Sequence, residues 1–109
     1  MSKRPTNLLL TDIREAIDRV EQYIKGISFE EFSKDQKTVD AVARNLEIMG
    51  EAANRLPDEF KEDHSDVEWY KIVGLRHRIV HEYFGVDLQI IWQILRKDLP
   101  ELRTSLSQI

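Results

Sequence analysis

The sequence predicts an all-α fold, an up-down bundle of four to five helices, from three observations. Apolar residues recur at steps of three and four along most of the chain, residues that start and stop helices punctuate those runs, and no stretch alternates polar and apolar residues as a strand would. The composition agrees, because 41% hydrophobic and 33% charged residues with four Gly and three Pro suit a globular chain rich in helix formers. At 109 residues it is expected to be a single domain over 1–109 with one modest core.

The elements follow in chain order. Leu10, Ile13, Ile17, Val20, Ile24 and Ile27 form one apolar stripe, and Gly26 supplies a terminator. Ser28-Phe29-Glu30-Glu31 has the capping-box pattern, so a short helical turn is expected next. Val39, Val42, Leu46, Met49, Ala53 and Leu56 repeat the rhythm until Pro57 forces a stop. The acidic stretch from Pro57 to Asp66 has no period and reads as a connection with one loose turn. Ser65-Asp66-Val67-Glu68 is a second capping-box pattern, opening a helix with Trp69, Ile72, Val73, Leu75, Ile79 and Val80 that is expected to end around Tyr83, before Gly85. Asp87 caps the last helix, whose inner face carries Leu88, Ile91, Leu95, Leu99, Leu102 and Leu106, with a break or kink expected at Asp98-Leu99-Pro100. The stripes keep nearly a seven-residue repeat, so one leftover face suits a homodimer. Trp92 and Phe84 are candidates for that face, with core burial the favoured place for each.

Composition also bounds function. The absence of cysteine removes disulfides, thiolate metal sites and cysteine nucleophiles, and suits a reducing, cytoplasmic compartment. The apolar run near the N-terminus stops at Asp12, too short for a signal sequence or a membrane span. A net charge of -4 argues against a broad basic coat for nucleic acid. The positive charge concentrates at Lys71, Arg76, His77 and Arg78, and an RNA or phosphate partner would dock there.

The stretch Arg76-His77-Arg78-Ile79-Val80-His81-Glu82-Tyr83 holds two of the three histidines beside two arginines and a tyrosine. Histidine exchanges protons near neutrality and arginine holds a phosphate through parallel hydrogen bonds, which together suit phosphodiester cleavage. Arg and His on a helix also make an ordinary solvated face. His64, alone in an acidic loop, reads as a surface residue, and Trp69 as a core or rim aromatic. His77 and His81 stand four apart, but Arg78 occupies the position where a His-Glu-x-x-His zinc motif needs glutamate, so no metal site is expected. On an ideal helix Arg76 and His81 lie about 140° apart. Either the long arginine wraps round, or the helix loosens, or the working site pairs Arg76 and His81 across a dimer axis.

Arg76-x-x-x-x-His81-x-Tyr83 resembles the signature motif of HepT-type toxins, minimal all-helical members of the HEPN superfamily. Asn45-Leu46-Glu47-Ile48-Met49-Gly50-Glu51-Ala52, Arg55-Leu56-Pro57, Ile72-Val73-Gly74-Leu75-Arg76 after Trp69, Tyr83-Phe84-Gly85-Val86-Asp87 and Asp98-Leu99-Pro100-Glu101-Leu102 also resemble that family's pattern, over essentially the whole chain. The resemblance implies a metal-independent endoribonuclease, needing no cofactor, in a toxin-antitoxin pair whose partner is a small nucleotidyltransferase antitoxin of the MntA type. It makes Arg76 and His81 the catalytic pair, His77 an auxiliary residue, and Tyr83 the tyrosine that such an antitoxin modifies with AMP. Two other readings stand beside it: a catalytically idle HEPN-like module that binds or positions a nucleotidyltransferase, and a helical adaptor that binds phosphate without cleaving.

Overall fold

A computed structural model describes residues 4–79 and 87–109. Among the described residues every regular element is helical. The elements are α1 (Thr6–Ile24), α2 (Phe29–Lys34), α3 (Gln36–Arg55), α4 (Asp58–Asp63), α5 (Trp69–Arg78), α6 (Leu88–Gln93), a π-helical turn (Ile94–Asp98) and α7 (Leu99–Leu106). No described helix is long and apolar enough to cross a membrane.

The punctuation read from the sequence operates as expected over the first half. α1 ends before Gly26, which sits at φ 76°, a left-handed angle that glycine takes without a Cβ clash. Ser28 then caps α2 by accepting from the Glu31 amide at 3.1 Å while the Glu31 carboxylate accepts from the Ser28 amide at 3.1 Å. Asp35 caps α3 through the amide and hydroxyl of Thr38, and those bonds hold its carboxyl below the ordinary aspartate range. Leu56 is extended, as a residue before proline must be, and ends α3.

Three expectations need correction. The acidic connection after Pro57 contains a regular helix, α4, with Asp58 and Glu59 complementing the exposed amides of its first turn. Six residues are too few to display a period, which is why the sequence hid it. The Ser65–Glu68 capping box does not form: Glu68 is the N-cap of α5 without a side-chain cap bond, because Lys71 and Tyr70 engage its carboxylate instead. Those contacts, Lys71 first, hold the Glu68 carboxyl below its usual range. The turn is set by Trp69, whose indole donates to the His64 carbonyl at 3.0 Å while its ring lies 5.9 Å from Phe60. His64 stacks on Phe60 at 4.6 Å, so it serves this turn and is not a simple surface residue.

The irregularity expected at Asp98-Leu99-Pro100 is present as a π turn that separates α6 from α7, while Ile94, Asp98 and Leu99 keep right-handed helical angles. Proline cannot donate to a carbonyl four residues back, and this turn just before it, closed by the Leu99 amide on the Ile94 carbonyl, absorbs the defect. Ile94 and Leu95 within the turn are both buried. The expected end of α5 around Tyr83, the Gly85 terminator and the placement of Val80 and Phe84 lie outside the described residues.

The helices pack up-down. Leu9 and Asp12 near the start of α1 share a depression with Ile48, Glu51 and Arg55 near the end of α3, so these two run antiparallel. The start of α5 lies beside the end of α3, with Asn54 near Trp69 and Gly50 against Arg76. α7 returns along α1, where Arg103 bonds to Asp18 and Glu21 and the Arg14 guanidinium reaches the Leu106 carbonyl. Leu10, Ile13, Ile17, Leu46, Met49, Ile79 and Leu95 are all buried in the shared core. Trp92 half-closes one end, 5.1 Å from Phe32 and 6.1 Å from Phe29, with Arg96 over its ring.

Two helical glycines mark different constraints. An ideal Cβ on Gly50 would stand 3.0 Å from the Arg76 amide nitrogen and 3.2 Å from the Ile72 carbonyl oxygen, whereas one on Gly74 would meet nothing among the described residues. Gly74→Ala is therefore expected to raise stability by roughly 0.5–1 kcal/mol, a few degrees in melting temperature, because only helix propensity changes. Gly50→Ala gains the same propensity yet is expected to lower the melting temperature, because two backbones must separate; thermal unfolding by circular dichroism checks both.

Candidate functional site

The site is built where α3 and α5 come closest. Gly50, buried in the middle of α3, lets the α5 backbone approach at Arg76 itself. One residue further along α3, Glu51 accepts a hydrogen bond from Arg76 Nη1 at 3.0 Å. The two side chains are 63% and 48% exposed, so the pair stands in water and contributes little to stability, within about 1 kcal/mol. Its effect is on direction: one guanidinium nitrogen is tied to α3 while the group faces solvent.

The pair lies in a shallow groove between α1, α3 and α5 that is also lined by Asp12, Arg44, Glu47 and Arg55. Arg4 neutralises Asp12 through a two-pronged contact at 2.7 and 2.8 Å. Three guanidinium groups, Arg44, Arg55 and Arg76, thus share one groove with three carboxylates, Asp12, Glu47 and Glu51, of which Asp12 is paired with Arg4 and Glu51 with Arg76.

The basic cluster read along the sequence does not stay together. Arg76 opens onto this groove, but Arg78, about 200° further round the helix, lines a second cleft between α5 and α7. That cleft has an apolar floor including Ile72, Leu75 and Leu99 and a rim on which Lys71, paired with Glu68, stands beside Asp66, Asp98 and Glu101, so Lys71 stays with Arg78 and four carboxylates outnumber the two cations. Its acidic rim disfavours a phosphate, so Arg78 separates from Arg76 in chemistry as well as in place. His77 is exposed on the arc between them. His81 and Tyr83 lie outside the described residues, as does any cleft they would share with Arg76.

The sequence pattern assigned no role to Glu51, because its partner is 25 residues away and no helical spacing connects them. The legible trace was Gly50, a glycine inside a strongly periodic segment. Asn45 is a second unforeseen feature. It is 5% exposed, its Nδ2 donates to the Ala41 carbonyl at 2.8 Å, and its Oδ1 accepts no hydrogen bond among the described residues. A buried amide half-satisfied in this way costs stability.

Comparison with known proteins gives a consistent set of relatives. The profile of a family described as "Ribonuclease HepT-like" matches residues 13–109. A protein of Caldanaerobacter subterraneus subsp. tengcongensis that carries an RNase name is 50% identical over 86 residues, covering 79% of this chain and 77% of that protein. A Thermococcus cleftensis protein named as a ribonuclease HepT is 41% identical over 93% of this chain and 92% of its own length. A Methanocaldococcus jannaschii protein, also bearing an RNase name, is 38% identical over 94% of each. No solved structure matches the chain significantly.

Asn45 offers a test of this region that needs no substrate. Asn45→Leu, close in volume and without the orphaned oxygen, is expected to leave stability unchanged or raise it by up to about 1 kcal/mol. Urea denaturation midpoints check this; a clear loss would mean that Oδ1 has a partner that stabilises the fold.

Proposed function

The chain belongs to the HepT-like ribonuclease family, and on that premise we propose that it is a metal-independent endoribonuclease whose catalytic pair is Arg76 and His81. The observation that carries the proposal is the Arg76 guanidinium, tied at one nitrogen to Glu51 and exposed at a groove wide open to solvent. RNA brings its own nucleophile. In the reaction we propose, the 2′-oxygen attacks phosphorus, its proton passes to a histidine, the bond from phosphorus to the 5′-oxygen breaks, and that oxygen takes up a proton. Arg76 neutralises the charge that builds on the non-bridging oxygens. His81 exchanges the protons, and His77 assists.

One copy supplies one Arg76 and one His81. A homodimer that sets two such pairs in one cleft provides base and acid from separate chains and resolves the angular separation of the motif. The single helical domain over 1–109 then acts in the cytoplasm as the toxin of a toxin-antitoxin pair, with a small nucleotidyltransferase as its antitoxin. Tyr83 is the regulatory handle. AMP attached to its hydroxyl adds bulk and negative charge beside the motif, repels an RNA phosphate and offers Arg76 a competing one.

His81→Ala and Arg76→Ala are each expected to lower RNA cleavage by about 10²–10⁴-fold with the circular dichroism spectrum unchanged. Fluorescent RNA oligonucleotides assayed in chelator provide the measurement; wild-type rates in either variant would remove that residue from the mechanism, and chelator sensitivity of the wild type would restore a metal. Incubation with a cognate nucleotidyltransferase and ATP is expected to add AMP at Tyr83 and to suppress cleavage. Mass spectrometry followed by the same assay decides this, with modification elsewhere or an active Tyr83 adduct as the contrary result.

A further inference from the structure

We infer that Glu51 is the positioning residue of the catalytic arginine, acting together with the close approach of α3 to α5 at Gly50. The inference rests on the proposed role of Arg76 and adds a partner to it. Two contacts converge on this one side chain from α3. At its root, the absence of a side chain at Gly50 lets α5 approach so closely that an added Cβ would stand 3.0 Å from the Arg76 amide nitrogen and 3.2 Å from its Cβ, which sets the position from which the side chain starts. At its tip, Glu51 Oε2 accepts from Nη1 at 3.0 Å.

An exposed arginine otherwise spreads over many rotamers, and only the fraction in the productive one assists the reaction. The bond to Glu51 biases the guanidinium toward one orientation before RNA arrives. The carboxylate engages one Nη nitrogen and leaves the others to a phosphate, which the planar fork of arginine permits and a lysine would not. Glu51 is not placed to touch the scissile bond in this scheme. Its charge also opposes phosphate binding, so a positioning role predicts an effect on turnover, not on affinity. Stability is an inadequate explanation for the contact, because an ion pair this exposed contributes little to it.

The test uses the full chain and a short fluorescent RNA, with Glu51→Ala, Glu51→Gln and Glu51→Asp compared beside Arg76→Ala. Glu51→Ala and Glu51→Gln are expected to lower kcat roughly three- to fivefold, in keeping with a pair this exposed, while KM does not rise and the melting temperature holds. Glu51→Asp, which keeps the charge on a shorter arm, is expected to recover part of the loss. Wild-type kcat in Glu51→Ala, or an increase in it, would overturn the inference, the increase marking Glu51 as a competitor of phosphate. A cleaving Arg76→Ala would instead remove the reading of Arg76 on which this one stands. A second measurement is independent of turnover. The Arg76 Nε–Hε resonance in nitrogen-15 spectra is expected to shift and lose its restricted rotation in Glu51→Ala, and an unchanged resonance would overturn the proposal whatever the kinetics.

Discussion

The contact between α3 and α5 at Gly50 is the constraint on which the rest of the site depends. Helices normally pack with side chains between their axes. Here a missing side chain lets one backbone rest on another at Arg76, and neighbours in sequence become neighbours in function: Gly50 fixes the base of the arginine and Glu51 meets its end. The rest of the bundle serves to hold these helices in register. α1 packs against α3 from the side opposite the acidic cleft of α5 and forms the second wall of the groove, and Arg103 with Asp18 and Glu21 ties α7 to α1. Lys61 reaches the Ala53 carbonyl at 3.1 Å, closing the end of α3 just beyond the critical turn.

Helical geometry also sorts the charges. Three consecutive residues, Arg76, His77 and Arg78, point in three directions, and only the first faces the guanidinium-lined groove. The acidic rim on the far side of α5 leaves that face unattractive to a phosphate. A chain of net negative charge therefore gathers three guanidinium groups at one groove without a basic coat, and Arg78 is sorted to the other side of α5. A nuclease built this way relies on a few oriented groups and not on bulk charge.

The end of the bundle shows how a local defect is absorbed by packing. Pro100 interrupts the α-helical pattern, and the π turn before it keeps Ile91, Ile94 and Leu95 on one side and Leu99 and Leu106 on the other all within the core. The apolar surface so buried outweighs a strained turn, since each aliphatic side chain removed from water contributes about 1.5–3 kcal/mol. The same preference appears at the start of α5, where Trp69 and Val67 are buried and a capping box that the sequence permits is left unmade.

The sequence by itself determined the helical class, the long helices and most of their ends, because period and punctuation are local properties: Gly26, the Ser28 cap, Pro57 and Asp87 act within a few residues. It also marked Arg76 and His81 through a motif that carries family resemblance, though their separation of about 140° on one helix could not be resolved by spacing alone. Elements governed by competition between neighbours were beyond it: six-residue α4, the unmade box at Ser65 and the π turn each depend on what packs against them. The pairing of Glu51 with Arg76 and the parting of Arg76 from Arg78 were decided by tertiary structure alone, for it takes a second helix, brought within backbone contact at Gly50, to give one arginine a partner and a direction.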